Sequence, residues 1–400
     1  MEPIRPFSGV RILDLSHELG SYVTRLFADL GADVIRVEPS GGLPDRATAR
    51  GDEGNTAPDY AFIFMNASKK SIVLDLETSD DWDRFATLAE GSQIIVVERG
   101  GPLYDNLGKL REVAPKAVIT AVSPFGMSGP WADAPASDLT LQAAGGIAWL
   151  SGRPDDAPLR LPVDQSITIT SVYAAAATAI AFLHSEATGT GHLIDVSAQE
   201  CIAHSLQNAI QVWDLEHRIS LRGGEGTRDA SEDIFPCKDG YVFIASPPTL
   251  GVSWKSLVAW MTEIGHPAAK EFGQERWLDR RWRLSNEARV LFRESFETFS
   301  RDFTKQELAE AAIKRKIVMA PVSRVSDLVE DEQLAYRGFF QAVEDPRFQK
   351  PVNFPGAPYR LSEDVWAIRP APELGQDNDL VEKLSQPGSD NKQHVDGGRA

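Results

Sequence analysis

An α/β fold is predicted for this chain, with a largely parallel sheet in a large domain and a smaller α+β domain beside it in sequence. Apolar runs of strand length alternate with segments of helical periodicity, which indicates β-α-β units. Most of these runs are apolar throughout, as in strands that helices cover on both faces. The chain has 400 residues, more than a single core usually serves, so we expect two domains.

Strands and helices are predicted in alternation along the first half of the chain. A strand over 9–15 is followed by an amphipathic helix over 21–30, which Gly31 ends. A capping-box pattern at 197–200 predicts a helix that runs to about Leu215. The other predicted elements are strands over 32–37, 71–75, 93–97, 117–122 and 192–196, and a helix over 80–89.

The most apolar helix is predicted to follow Pro162, because proline is not tolerated in a helix interior. Asp164 stands just ahead of an Ala-rich run, where Asp is a preferred N-cap residue. Its carboxylate is then expected to accept backbone N–H bonds of the first turn, and the helix dipole favours its charged form. Asp164 is therefore either a structural cap or a nucleophile, and this stretch alone favours the cap.

The smaller α+β domain is predicted over 230–325. Asp239-Gly240 is a hairpin signal between two apolar runs, and a mostly helical, charged region follows it. The large domain would span 1–220 and be completed by 335–385. The segment 218–231, which contains the Gly-rich run 223–226, is predicted to be a mobile loop, and the polar tail 386–400 is expected to be disordered.

Composition limits the possible partners. The net charge of −17 argues against nucleic acid, whose binding needs a basic surface. The apolar run over 172–183 is shorter than the roughly 20 residues that cross a bilayer, so we expect a buried helix and no membrane. Cys201 and Cys237 form no metal or redox motif. The start of the chain has no signal-peptide pattern, so a cytoplasmic location is expected.

The sequence lacks the motifs of several common classes of enzyme. The first strand is followed by a segment, 16–20, with a single glycine, so the G-x-G-x-x-G fingerprint of NAD-binding folds is missing. The sequence holds neither a nucleotide P-loop nor a close His/Cys cluster, and we therefore expect neither NAD nor a metal ion. Residues 126–129, GMSG, are one residue short of the nucleophile elbow of serine hydrolases.

A series of short motifs stands in order between about residues 8 and 380. They include LGADVIRVE at 30–38, KKSI at 69–72, SPFGMSGP at 123–130 and TGTG at 188–191. Each is weak alone, but together they resemble the class III CoA-transferases, the family of formyl-CoA transferase and carnitine CoA-transferase.

The resemblance implies both a fold and a reaction. The fold is an interlocked homodimer, each chain with a Rossmann-like large domain and a small domain. The reaction moves coenzyme A from an acyl-CoA to a carboxylic acid through an aspartyl mixed anhydride and an aspartyl-CoA thioester. Asp164 matches the nucleophile and Asp138 a structural aspartate. The residues that the resemblance assigns to CoA binding are Lys69, Lys70, Leu74, Arg99, Pro124, Phe125 and Gly126.

The sequence also departs from the family pattern. Pro39, Asn106 and Ser123 stand where formyl-CoA transferase has basic residues. Leu19 stands where that enzyme has Gln, so formyl-CoA and oxalate are not expected as substrates. Two alternatives stay open. One is an α-methylacyl-CoA racemase, although Ser137 takes the place of the histidine base. The other is a catalytically silent acyl-CoA-binding homologue.

Overall fold

The computed structural model describes residues 4–46, 59–153, 156–222 and 228–384. The chain forms two compact units. The large unit contains the residues up to 149, those over 159–210 and those from 336 on, and the small unit contains 150–158 and 211–335. Residues 150–158 and 211–220, predicted as part of the large domain, group with the small unit. The Gly-rich segment 223–226 and the tail 386–400 lie outside the described residues.

The large unit is built on a six-stranded sheet in the order β3-β2-β1-β4-β5-β6, with every neighbouring pair parallel. The predicted strands are confirmed to within two residues at each end. The strand order reverses between β1 and β4, which is the Rossmann arrangement and creates a crevice at the carboxyl ends of those strands. The strands are β1 Arg11–Leu15, β2 Asp33–Glu38, β3 Lys70–Val73, β4 Ile94–Glu98, β5 Val118–Ser123 and β6 His192–Ser197.

Helices cover both faces of this sheet, because alternate strand residues point to opposite sides. Leu13 belongs to a buried cluster with Phe85 and Leu110, whereas its neighbour Ile12 packs on the other face with Phe27. The helices of the large unit are α1 Ser21–Asp29, α2 Tyr60–Met65, α3 Ser79–Glu90, α4 Leu107–Val113, α5 Asp138–Ala144, α6 Ile147–Leu150, α7 Gln165–Thr188 and α8 Ala198–His204.

The single helix predicted from 197 to about Leu215 is wrong. Ser197 does cap α8, accepting the Glu200 N–H at 3.3 Å. However, α8 ends at His204, and Gln207 then adopts a left-handed backbone with φ of 57°. A left-handed residue interrupts the helical hydrogen-bond ladder, so a new helix, α9, begins at Ala209.

Helix α7 is longer than its apolar run predicted. It has 24 residues, and it is the one helix of the described chain that is long and apolar enough to cross a membrane. A third of its most apolar 18-residue stretch is buried inside the protein. The Ser171 hydroxyl donates to the Leu19 carbonyl at 2.7 Å, and the Ser185 hydroxyl donates to the Lys116 carbonyl at 3.1 Å. Since Leu19 follows β1 and Lys116 precedes β5, α7 runs antiparallel to the strands.

The small unit confirms the predicted hairpin. Strands β7 Asp233–Cys237 and β8 Gly240–Ile244 pair antiparallel, and β9 Met319–Pro321 adds a third strand. Arg283 is buried in its aromatic core, with its guanidinium 4.0 Å from the centre of the Trp254 ring. The helices from α9 on are α9 Ala209–Glu216, α10 Ser253–Glu263, α11 Ala268–Phe272, α12 Arg280–Arg283, α13 Asn286–Ser300, α14 Lys305–Arg315, α15 Val325–Val329 and α16 Glu332–Tyr336.

The chain then returns to the large unit. Strands β10 Phe340–Val343 and β11 Val352–Pro355 pair antiparallel, and α17 Asp379–Leu384 is the last described helix. The extended segment between them joins the large unit through backbone bonds, such as Ala367 N–H to the Asp29 carbonyl at 3.0 Å. The last part of the chain thus completes the fold that the first part begins.

Gly191→Ala is expected to destabilise the large unit. A Cβ at Gly191 would lie 2.5 Å from the Pro115 carbonyl oxygen and 2.6 Å from that of Ala117. Backbone atoms cannot yield as a flexible side chain can, so we expect a loss of about 1–3 kcal/mol, measured by urea unfolding. Gly108→Ala is the control, because its Cβ meets nothing within 4 Å in α4. That variant should be as stable as the parent or slightly more stable; equal losses for the two variants would contradict the packing argument.

Candidate active site

Asp164 lies at the start of α7, at the carboxyl edge of the parallel sheet. The first turns of α7 stand at this edge because Ser171 contacts Leu19, which directly follows the β1 region. The Asp164 side chain is 35% exposed. In open α/β sheets, ligands bind at this edge. A half-exposed carboxylate is therefore present where a substrate would be expected.

Asp164 occupies the predicted N-cap position of α7, but its side chain does not cap the helix as the sequence predicted. Its backbone has φ of 1° and ψ of 59°, and its carboxylate makes no capping hydrogen bond within the described part of the chain. The first turn of α7 is capped from α5 instead. Asp138 Oδ1 accepts the backbone N–H of Ser166 at 3.0 Å and also its hydroxyl. The structural role predicted for Asp164 therefore belongs to Asp138.

Arg160 joins the two aspartates. Its Nε donates to Asp138 Oδ2 at 2.9 Å and its Nη2 donates to Asp164 Oδ1 at 2.7 Å. Partial burial acts to raise the pKa of Asp138, but hydrogen bonds from Ser166 and Arg160 outweigh it and hold that pKa below its usual value. Arg160 is not among the residues predicted from the sequence, since a lone arginine in a loop belongs to no motif.

Gln142 fixes the loop that carries Arg160. Its side-chain amide donates to Asp138 Oδ2 at 2.8 Å, and its Oε1 accepts the backbone N–H of Leu161 at 2.8 Å. Asp138 and Gln142 stand one turn apart on α5, so they face the same side of that helix. Their spacing of four residues is compatible with a shared helix face, but the sequence does not show which loop these two side chains hold.

The start of α1 is occupied by a carboxylate of the protein itself. Glu98, at the end of β4, accepts backbone N–H bonds from the segment 17–20 at 2.8–3.1 Å. In dinucleotide-binding folds the corresponding N–H groups bind a pyrophosphate. This explains why the segment after β1 lacks the glycine fingerprint: here it binds Glu98.

Lys69 is not available to a CoA phosphate, contrary to the role that the resemblance assigned. Its ammonium is buried and donates to Asp14 Oδ2 at 2.8 Å, to the Ser21 carbonyl at 2.7 Å and to Asn66 Oδ1 at 2.7 Å. An ammonium has three donors, and all three are used. Arg36 Nη1 lies 3.9 Å from the same Asp14 oxygen, and it also donates to Asn66 Oδ1, at 3.0 Å. Lys69 is therefore part of a buried ion cluster.

Lys70 is also misplaced for that role. It is the first residue of β3 and pairs with Ile35 in the middle of β2, so it does not stand at the carboxyl edge. Its ammonium contacts Asp33 Oδ1 at 2.6 Å, and Asp33 is the first residue of β2. The sequence motif predicted the strand correctly but did not show toward which edge this side chain extends.

Comparison with known proteins identifies the family. The family model for CoA-transferase family III matches residues 7–378. The chain belongs to CoA-transferase family III. It is 36% identical to the succinyl-CoA:(R)-benzylsuccinate CoA-transferase subunit BbsE of Thauera aromatica, over 92% of either chain. It is 28% identical to the succinyl-CoA–L-malate CoA-transferase alpha subunit of Chloroflexus aurantiacus, over 90% of this chain and 83% of that one.

The fold of this family III CoA-transferase is shared by solved structures. A CAIB/BAIF family protein from Brucella suis matches with a TM-score of 0.77 and 23% identity, over 96% of this chain and 100% of that one. The predicted α/β class and family are thus confirmed. The chain is an enzyme of the class III CoA-transferases, whose substrates are acyl-CoA thioesters and carboxylic acids.

The other residues assigned to CoA lie at the carboxyl edge of this transferase. Arg99 directly follows β4, and its Nη2 contacts the exposed Asp133 at 2.5 Å. The turn 124–126 directly follows β5, where Gly126 has a left-handed φ of 92° and donates its N–H to Ser123. Leu74 follows β3, but its side chain is buried in the core, so only its backbone faces this edge.

The turn after β5 is held rigidly. The Asp195 carboxylate accepts the Met127 N–H at 3.1 Å, and the Pro124 carbonyl accepts the Gln199 N–H at 3.0 Å. Phe125 packs edge-on against Trp131, with their ring centres 5.4 Å apart. The turn is thus fixed by hydrogen bonds to β6 and α8 and carries an aromatic pair at the carboxyl edge of the sheet.

Proposed function

We propose that this enzyme transfers CoA from succinyl-CoA to a second carboxylic acid, with Asp164 as the nucleophile. The observation that carries this proposal is the half-exposed Asp164 carboxylate, oriented by Arg160 at the carboxyl edge of the sheet. Succinyl-CoA is chosen as the donor because it appears in the names of the Thauera and Chloroflexus relatives. The acceptor is another carboxylic acid.

The transfer begins when an Asp164 oxygen attacks the thioester carbonyl carbon. The C–S bond breaks, CoA leaves as a thiolate, and a mixed anhydride joins Asp164 to the succinyl group. The thiolate then attacks the Asp164 carbonyl carbon, succinate leaves, and an aspartyl-CoA thioester remains. The acceptor acid repeats these steps in reverse and restores the carboxylate. The covalent route divides one difficult exchange into easier steps.

Trapping the adduct tests this proposal. The enzyme is incubated with succinyl-CoA and then with hydroxylamine, which converts an acylated aspartate into a hydroxamate, and residue 164 is examined by mass spectrometry. In parallel, labelled succinate is expected to exchange into succinyl-CoA. Absence of both signals, with acetyl-CoA tried as a second donor, would reject Asp164 as the nucleophile. Thermal stabilisation by CoA without any exchange would favour the silent acyl-CoA-binding alternative.

We further propose that the CoA end of the donor contacts Arg99 and the turn 124–126. Arg99 carries a guanidinium suited to phosphate, and its partner Asp133 is exposed and easily displaced. Arg99→Gln is expected to raise the KM for succinyl-CoA about tenfold with little change in kcat. Arg11→Gln is the matched control, because Arg11 also pairs with an aspartate but starts β1, at the opposite edge. Equal KM values for the two variants would remove Arg99 from the CoA site.

The chain is proposed to act as a homodimer. Val172, Ile180 and Leu183 of α7 are exposed in the single chain, and exposed apolar side chains on one helix favour burial against a partner. Light scattering should give twice the chain mass of 43.8 kDa. The two relatives named above are called subunits. If the chain stayed monomeric and paired only after a different family III chain was added, the homodimer proposal would be wrong and the enzyme would be a heterodimer.

We propose a cytoplasmic location for the enzyme. Cys201 and Cys237 are both buried and free, which suits a reducing compartment. Burial raises the pKa of the Cys201 thiol to about 11, so it remains protonated and unreactive at neutral pH. Cell fractionation followed by immunodetection tests the location, and recovery in the membrane fraction would contradict it.

A further inference from the structure

We propose that Arg160 binds the carboxylate of the free acid while Asp164 is acylated, so that the same guanidinium serves first the nucleophile and then the substrate. This inference rests on the proposed function of Asp164. It assigns to Arg160 a role in recognising the acid that leaves and the acid that enters. Two aspartates bind Arg160, and they differ in burial: Asp138 is nearly buried, whereas Asp164 is half-exposed.

One arm of the guanidinium is fixed. Asp138, which accepts from Arg160 Nε at 2.9 Å, is only 9% exposed. The same carboxylate accepts hydrogen bonds from the Ser166 backbone and hydroxyl and from the Gln142 amide. Asp138 is thus hydrogen-bonded to both α5 and α7, and it can hold Arg160 in position while Asp164 reacts.

The other arm is exchangeable. Arg160 Nη2 donates to Asp164 Oδ1 at 2.7 Å, and Asp164 is 35% exposed. Arg160 itself is 42% exposed, and Asp164 is the more exposed of its two partners, so a solute has better access from the Asp164 side. A guanidinium binds carboxylates through a planar set of donors, and replacing one carboxylate by another preserves the type of contact.

The chemistry requires such a replacement. When CoA becomes bonded to the Asp164 carbonyl carbon, the anhydride C–O bond breaks and its electron pair leaves with the acid. The negative charge therefore moves from Asp164 to the free acid. Arg160 then lacks one anionic partner. The departing carboxylate carries away one of the two former Asp164 oxygens, and before the reaction one of these two, Oδ1, lay 2.7 Å from Nη2. The acceptor acid approaches the same carbon, so Arg160 would orient its oxygen for attack.

Exchange of labelled succinate into succinyl-CoA measures this role without knowledge of the second acid. The variants are Arg160→Gln and Arg160→Lys, both compared with Arg84→Gln. Arg84 is the matched control, because it is also 42% exposed and pairs with an aspartate on its own helix, α3. Melting temperatures of all variants establish that they fold.

Arg160→Gln is expected to raise the KM for succinate at least about tenfold, as for the loss of a charge-assisted hydrogen bond. The hydroxamate yield at residue 164, which reports the first half of the cycle, should fall much less. Arg160→Lys should restore part of the affinity for succinate, and Arg84→Gln should match the parent.

An unchanged KM for succinate in Arg160→Gln would overturn the inference while leaving Asp164 as the nucleophile. If kcat and adduct formation fell equally at that unchanged KM, Arg160 would be a positioning residue for Asp164 only. Failure of the parent enzyme itself to form the adduct would instead refute the proposed function.

Discussion

Asp164→Asn is expected to lower the rate of CoA transfer at least about a thousandfold, because loss of a covalent nucleophile removes the route through the acylated enzyme. An amide oxygen carries no negative charge and cannot form the anhydride. The measurement is exchange of labelled succinate into succinyl-CoA, with the hydroxamate at residue 164 as a second readout. Both signals should be lost together, whereas binding of CoA should persist.

Asp81→Asn is the control for this variant. Asp81 stands in the first turn of α3 and pairs with Arg84 at 2.9 Å, as Asp164 stands at the start of α7 and pairs with Arg160. Its substitution should leave the exchange rate unchanged. Full activity of Asp164→Asn, after mass spectrometry has excluded conversion back to Asp, would show that the nucleophile lies elsewhere in the chain.

The fold was predictable because its strands carry a strong local signal. Runs such as 93–97 and 117–122 are apolar throughout, and a fully buried parallel strand needs that composition. The helix boundary at His204 was not predictable in this way. It depends on the left-handed backbone of Gln207, and glutamine carries no sequence preference that announces it.

The site was only partly predictable, because its geometry depends on contacts between distant segments. Asp164 was found through its place ahead of an apolar run, but the real cap of α7, Asp138, comes from another helix. Lys69 and Lys70 are neighbours in one motif, yet one ammonium is buried and the other is half-exposed. Periodicity along one strand cannot show which acidic residues the adjacent strands bring to each lysine.

Lys69→Met is expected to destabilise the large unit by about 3–5 kcal/mol, the usual cost of removing one partner from a buried ion pair. Lys69 and Asp14 are both fully buried, so the variant leaves the Asp14 carboxylate without its 2.8 Å ammonium partner. Urea unfolding measures the loss. Lys70→Met is the matched control: its pair with Asp33 is 38% and 30% exposed, and such a surface pair contributes about 1 kcal/mol or less.

The pH dependence of this difference gives a second test. Burial lowers the pKa of Lys69 from its ordinary value of 10.5 to about 8, although Asp14 opposes that shift. Between these two values the unfolded chain binds more protons than the native protein, so Lys69 makes stability rise with pH. The difference in the free energy of unfolding between the parent and Lys69→Met should therefore widen as the pH is raised from 8 toward 10.

The opposite outcome is a Lys69→Met protein that is as stable as the parent but has a raised KM for succinyl-CoA. That result would show that Lys69 binds CoA, since only an ammonium outside the ion cluster could bind phosphate.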